Sequence, residues 1–274
     1  MTIAARPATD PRVTDPDICL LTGMLRLRRF EEKAGMLYAL GSVTVPCPLG
    51  IGQEGAIAGL FASLDAGDAL LALQARPTIE LAFGASPAAA FQRLLDISSS
   101  ALASSALVRL PGEDMRRLPR QDAITTAAGR CADVVVLSDD PGELAQALPV
   151  MKARVLPVLM IPADRRPADY GLPAQWTVRE CDGSRANGVK EALMSARKES
   201  FIAVALLTPP YAGHSRDGSR RPQERRQTDD PIASLRRLLI EDGRLREVDA
   251  VELEAAVRDE IAAAARAVSV ACAP

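Results

Sequence analysis

The sequence predicts an α/β domain: a doubly wound parallel sheet flanked by helices, with a helical C-terminal extension. Three observations point there. Short apolar runs at 133–137, 155–161 and 201–207 are separated by helical text at 141–151 and 185–198, which is the rhythm of βαβ units. Long helical patterns open the chain before Gly41 and close it beyond Asp230. A length of 274 residues with 48% hydrophobic content suffices for one large core.

The elements follow in order. Residues 1–13 read as a loose arm, 14–228 as the α/β domain and 229–274 as the extension. Thr14-Asp15-Pro16-Asp17 is a helix start, because a Thr or Asp cap satisfies free N–H groups and proline in the first turn loses none. Leu20, Leu21, Leu25 and Leu27 give the apolar spacing, and Gly41 gives the stop. Pro46 and Pro48 make 42–50 an extended loop. Residues 53–64 return to helix with Ile57, Leu60 and Phe61 on one face, Asp65–Asp68 turns, and 69–73 is a short buried strand. Pro87 opens a helix with Phe91, Leu94 and Leu95 inward. Residues 96–122, punctuated by serines and then rich in arginine, read as a loop. Asp133–Leu137 is the clearest strand, 141–151 a helix and 155–161 the next strand, with Trp176–Val178 as a further candidate. Helix 185–198 and strand 201–207 follow, then an arginine-heavy loop at 209–230. Asp230-Pro231 opens one terminal helix. Asp249 opens the other, with Glu252 as capping-box partner and Leu253, Val257 and Ile261 as its packing stripe.

Composition excludes several classes. A net charge of −2 supplies no field for nucleic acid or an acidic membrane, and 3% aromatic content leaves few platforms for bases. Cys19, Cys47, Cys131, Cys181 and Cys272 are odd in number and lack metal-clip spacing, so a reduced protein without zinc is expected. No apolar run approaches the roughly 18 residues of a membrane helix. Residues 1–17 lack the apolar core of a signal or transit segment, and a cytoplasmic location is expected.

Arg29-Phe30-Glu31-Glu32-Lys33, Leu37-Tyr38, Gly41 and Ile51-Gly52-Gln53-Glu54 resemble the alpha subunit of the thiamine-diphosphate-dependent component of 2-oxo-acid dehydrogenase complexes, such as pyruvate dehydrogenase. Cys181-Asp182-Gly183 resembles that family's Asp-Gly turn. Tyr211 to His214-Ser215 resembles its Tyr-Arg-x-x-His-Ser loop, with Ala212 in place of the arginine, and Asp229-Asp230-Pro231-Ile232 resembles its Asp-Pro-Ile helix entry. The order of these words agrees from about residue 15 to 268. The resemblance implies a thiamine-diphosphate-binding fold, a magnesium-held diphosphate and an assembly of two alpha and two beta chains.

The chemistry-bearing words are altered. The family's Gly-Asp-Gly after a strand becomes Ser138-Asp139-Asp140-Pro141, with Asp139 aligned to the metal aspartate. Its Asn-Asn falls at Asp164-Arg165, and an arginine cannot ligate magnesium. Its arginine and histidine after the strand at 69–73 fall at Ala75 and Pro77, with Arg76 adjacent, and its histidine before Gly-Gln-Glu falls at Pro48. The resemblance therefore nominates Asp139 and Asp164 as metal ligands, Asp139, Arg76 and Gln53 as cofactor contacts, and His214 as an acid/base or phosphate contact. The alternatives are ordinary loop aspartates with Asp139 or Asp140 as a helix cap, a solvated loop arginine at Arg76, and a relic at His214. Arginines 216, 220, 221, 225 and 226 are a phosphate-binding run or a solvated loop.

The expected protein is a degenerate alpha subunit that pairs with a beta-type subunit in a structural or regulatory role. No cofactor is expected in the isolated chain, while a heteromer could carry thiamine diphosphate and magnesium. The alternatives are an active subunit of a decarboxylating 2-oxo-acid dehydrogenase and a free-standing homo-oligomer.

Overall fold

The computed structural model describes residues 15–43, 50–96, 104–130, 133–151, 154–162, 175–208 and 230–271. They form a seven-stranded, mostly parallel sheet between helices. In chain order the elements are α1 (Pro16–Ala39), α2 (Glu54–Ala62), β1 (Ala69–Ala72), α3 (Pro77–Ala82), α4 (Pro87–Asp96), β2 (Ser105–Arg109), β3 (Arg116–Pro119), α5 (Arg120–Arg130), β4 (Asp133–Ser138), α6 (Pro141–Ala147), β5 (Arg154–Pro162), β6 (Thr177–Asp182), α7 (Ala186–Ala196), β7 (Ile202–Thr208), α8 (Pro231–Glu241) and α9 (Glu247–Ala271). A 3₁₀ turn at Leu148–Val150 follows α6. The strand order is β3-β2-β1-β4-β5-β7-β6. Strands β1, β4, β5, β7 and β6 run parallel, and β2 and β3 add an antiparallel edge.

Alternation along the strands divides the core into two layers. Leu70, Val135, Leu137, Val158 and Leu206 face one layer with α1 and the helices around it. Leu71, Val134, Val136, Leu159 and Ala205 face the other with Ala123 and Ala127 of α5 and Leu144 of α6. Covering both faces of the parallel strands is what lets them be near-continuous apolar runs.

Helix α1 lies at the centre of its layer. Asp15 caps it by accepting from the N–H groups of Asp17 at 2.9 Å and Ile18 at 3.4 Å. Gly41 ends it at φ +77°, a conformation that favours glycine. Its stripe of Leu21, Met24, Leu27, Phe30, Ala34 and Leu37 is buried. Helix α9 packs along it through Val257, Ile261, Ala265 and Val268. The α1–α9 seam is fringed by Arg26–Glu260 at 2.9 Å and by an Arg29–Glu254 pair. Helix α2 packs on α7 through glycines: a Cβ at Gly55 would lie 2.6 Å from the Ser184 carbonyl oxygen, and one at Gly59 2.3 Å from that of Ala186.

Two expectations are corrected and one helix is added. Residues 96–122, expected as a loop, contain β2, β3 and the start of α5. Strand β3 escapes sequence reading because it is an edge strand, Arg116-Arg117-Leu118-Pro119, whose charges and proline blunt an exposed edge. Helix α3 was not anticipated, although Pro77 sits in its first turn. Asp249 does not cap the last helix, which starts at Glu247. Asp249 lies in the first turn and pairs with Arg246 at 2.6 Å.

Candidate functional site

Open α/β sheets place ligands beyond the carboxyl ends of their parallel strands. Here that edge gathers the segment after β1, the segment after β4 and the start of α2. Arg76, expected on its alternative reading as a solvated loop arginine, is instead only 8% exposed. The chain turns at Arg76 into α3, and its side chain is held by the two neighbouring segments. The guanidinium forms an ion pair with Asp139 just beyond β4, and its Nη1 donates to Gln53 Oε1 at 3.1 Å. Three of the nominated residues, Gln53, Arg76 and Asp139, are thus brought together. Asp164, His214 and arginines 216–226 lie outside the described residues.

Asp139 and Asp140 have separate duties. Asp140 caps α6 by accepting from the Gly142 N–H at 2.7 Å and the Glu143 N–H at 3.2 Å. Asp139 faces Arg76 and is therefore no cap. Its backbone N–H donates to Gln74 Oε1 at 3.2 Å, and Gln74 Nε2 donates to Ser138 Oγ at 3.1 Å. Arg120 ties this corner down by donating to the Leu73 carbonyl at 3.1 Å and pairing with Glu143 at 2.6 Å.

Two buried carboxylates support the corner from below. Glu31 of α1 is 3% exposed and accepts a hydrogen bond from the Thr78 hydroxyl. Burial pushes its carboxyl up to about 7, against the opposing pulls of Thr78, the Arg76 charge and the Gly50 N–H. Glu31 thereby joins α1, the loop at Gly50 and α3. Sequence reasoning gave this residue no site role. The available signal was its position between Leu27 and Ala34 on the buried stripe, where a carboxylate needs a partner.

Glu54 is the second carboxylate. Its oxygens take Arg28 Nε at 2.5 Å and Nη2 at 3.1 Å, and Oε2 also accepts from the Gly52 N–H at 2.9 Å. Arg28 Nη1 reaches Asp230 at 2.9 Å, and Asp230 caps α8 through the Ile232 N–H at 2.9 Å. Burial works against the Arg28 charge, but Glu54 and then Asp230 outweigh it and raise the guanidinium above its ordinary value. Burial likewise raises Glu54 above the usual carboxylate range. One arginine thus locks α1, α2 and α8 around the Gly52-Gln53-Glu54 turn.

These residues do not fit a magnesium-held diphosphate. Magnesium takes oxygen ligands in near-octahedral array, whereas the Asp139 carboxylate is already engaged by a guanidinium. Among the described residues no three His, Cys, Asp or Glu side chains gather to hold a metal. Burial pushes the Glu31 carboxyl up to about 7, and this side chain lies beneath the turn, tied to Thr78. The arrangement is suited to fixing loops against one another.

No protein-family model matches the chain. Among curated proteins it is similar to the pyruvate dehydrogenase E1 component subunit alpha of Rhizobium meliloti (strain 1021), at 42% identity over 57 residues, which are 21% of this chain and 16% of the relative. The subunit of the same name from Zymomonas mobilis is 52% identical over 44 residues, 16% of this chain and 12% of the relative. The mitochondrial type I pyruvate dehydrogenase E1 subunit alpha of Ascaris suum is 25% identical over 307 residues, covering 95% of this chain and 76% of the relative. The matches to the two bacterial relatives thus span less than a fifth of those proteins. These similarities support a distant relationship to pyruvate dehydrogenase E1 alpha subunits. The α/β architecture, with its mostly parallel seven-stranded sheet flanked by helices, is consistent with a thiamine-diphosphate-binding fold. No helix among the described residues is long and apolar enough to cross a membrane.

Proposed function

We propose that this chain is a degenerate alpha-type subunit of a 2-oxo-acid dehydrogenase-like assembly. It pairs with a beta-type subunit and serves a structural or regulatory role, binding thiamine diphosphate weakly or not at all on its own. The observation that carries this reading is the Arg76–Asp139 ion pair at the position nominated for the metal carboxylate. The Arg28–Glu54–Asp230 lock supports it, because it keeps the Gly52-Gln53-Glu54 turn and the Asp-Pro-Ile helix entry assembled without a cofactor. The test is gentle tagged purification from the native host, with mass spectrometry of accompanying proteins and small molecules, and calorimetry of the isolated chain with thiamine diphosphate and Mg²⁺. A stoichiometric beta-type chain, with no heat of cofactor binding to the isolated chain, is the expected result. Tight stoichiometric cofactor binding by the isolated chain overturns the reading, and recovery of the chain alone as a defined oligomer replaces it with a homo-oligomeric role.

A second reading has one observation in its favour: the similarity to the Ascaris suum subunit extends over 95% of this chain. In that case the chain is the alpha half of a working decarboxylating dehydrogenase, whose electron sink is the cofactor's own chemistry. Dye reduction dependent on a 2-oxo acid by the complex reconstituted with a beta chain supports this reading, and an inert complex rejects it.

A further inference from the structure

We propose that Arg76 is a built-in replacement for a divalent cation at Asp139, which makes the carboxyl edge of the sheet self-sufficient without metal. This deepens the proposed function and rests on its reading of this edge as a lost metal-diphosphate site.

Asp139 follows directly on β4, at the end of a parallel strand, and its partly buried carboxylate is stabilised by a counter-charge. The guanidinium of Arg76 supplies it from the neighbouring strand's loop, since β1 and β4 are adjacent in the sheet. Arg76 also holds another oxygen, Gln53 Oε1, at 3.1 Å. A carboxylate oxygen and an amide oxygen are the kinds of atom that a hard cation collects. They come from segments 86 positions apart in the chain and meet on one cationic centre that is itself buried. A planar guanidinium can do this because its fork offers N–H donors in two directions while its charge stays fixed.

The surroundings agree with a permanent charge. Glu31, on the α1 side, feels the Arg76 charge as one of the influences favouring its ionised form. Gln74 fixes the backbone of Asp139 from the same β1 loop, so the carboxylate is presented to the arginine by that loop at two points. The Arg197–Asp68 pair is a useful contrast. Asp68 precedes β1 and Arg197 follows α7, so that pair closes the opposite, amino edge of the sheet, where parallel α/β folds do not place ligands.

The proposal separates an internal cation from an ordinary salt bridge by chemical rescue. Thermal unfolding is compared for the unaltered chain, Arg76→Met, Arg76→Lys and Arg76→Met/Asp139→Asn, each in EDTA, in millimolar Mn²⁺ or Mg²⁺, and in NaCl of matched ionic strength. The unaltered chain and Arg76→Lys are expected to be indifferent to the divalent ions. Arg76→Met strands Asp139 and is expected to lower the midpoint by on the order of 5–10 °C in EDTA. Divalent ions then restore about 4 °C at roughly ten times their dissociation constant, and NaCl does not. Removing the carboxylate in the double variant abolishes that recovery. Should Arg76→Met fail to fold in EDTA, refolding yield with and without Mn²⁺ reads the same comparison. Loss of stability in Arg76→Met with no divalent-specific recovery overturns the proposal and leaves a plain salt bridge. Asp139-dependent stabilisation of the unaltered chain by Mg²⁺ overturns it as well. Neither result requires a beta-type partner, so this inference and the proposed subunit role fail separately.

Discussion

Replacing Glu31 by glutamine should flatten the pH dependence of stability between pH 5 and 8. The carboxyl is buried, and its value rises from an ordinary 4.5 to about 7 in the folded chain. Folding therefore favours the protonated form. The resulting stabilisation is complete below the unfolded value and is lost as pH climbs through the folded one. The full span corresponds to roughly 3 kcal/mol. Between pH 5 and pH 8, linkage gives a loss of about 2–3 kcal/mol. Urea unfolding followed by circular dichroism reads this directly: the midpoint of the unaltered chain should fall by about 1 M over that range. Glu31→Gln keeps an oxygen acceptor for Thr78 and carries no titratable proton, so its midpoint should move by less, the remaining slope including that of buried Glu54. Parallel pH profiles for the two proteins would refute the reasoning, because they would place the titrating group elsewhere. A midpoint that rises with pH in the unaltered chain alone would reverse the sign and show that Thr78, Arg76 and the Gly50 N–H outweigh burial.

Three further outcomes are expected. Arg28→Met leaves Glu54 buried without its guanidinium and should cost about 3–5 kcal/mol in chemical denaturation, far more than Arg246→Met, whose pair with Asp249 is exposed and worth at most about 1 kcal/mol. Gly59→Ala places a Cβ 2.3 Å from the Ala186 carbonyl oxygen, so α2 and α7 must separate; a loss of about 1–3 kcal/mol is expected, whereas Gly67→Ala, with open space around it, should be nearly silent. Asp140→Ala removes the cap of α6 and should cost about 1 kcal/mol with no response to divalent ions in differential scanning fluorimetry.

What could be read from the sequence followed local physics. Thr14-Asp15-Pro16-Asp17 and Asp230-Pro231 announce helix starts that the structure retains, with Asp15 rather than Thr14 as the first cap, because a capping side chain followed by proline is a local signal. Strands β4, β5 and β7 were legible as apolar runs because helices cover both faces of the sheet. Strand β2 has the same character, yet it sits beside the arginine-rich edge strand β3, whose pairing depends on a neighbour in space. At the site, Gln53, Arg76 and Asp139 were nominated through resemblance. Their union depends on β1 and β4 being neighbours, although helices α3, α4 and α5 and the β2–β3 hairpin intervene in the chain. Glu31 was missed because a charged residue inside Arg29-Phe30-Glu31-Glu32-Lys33 looks like part of a solvated face.

The seam between α1 and α9 has a consequence for biosynthesis. The first helix emerges from the ribosome early, but the helix that covers its flank begins at Glu247. At typical rates of about 5–20 residues per second the wait is on the order of 10–45 s. Throughout it, α1 lacks the helix that packs along it through Val257 and Ile261, and the nascent chain is expected to engage chaperones until α9 has emerged. A shift in trigger-factor or Hsp70 occupancy on ribosome-bound chains truncated before and after α9 would register the moment at which that cover arrives.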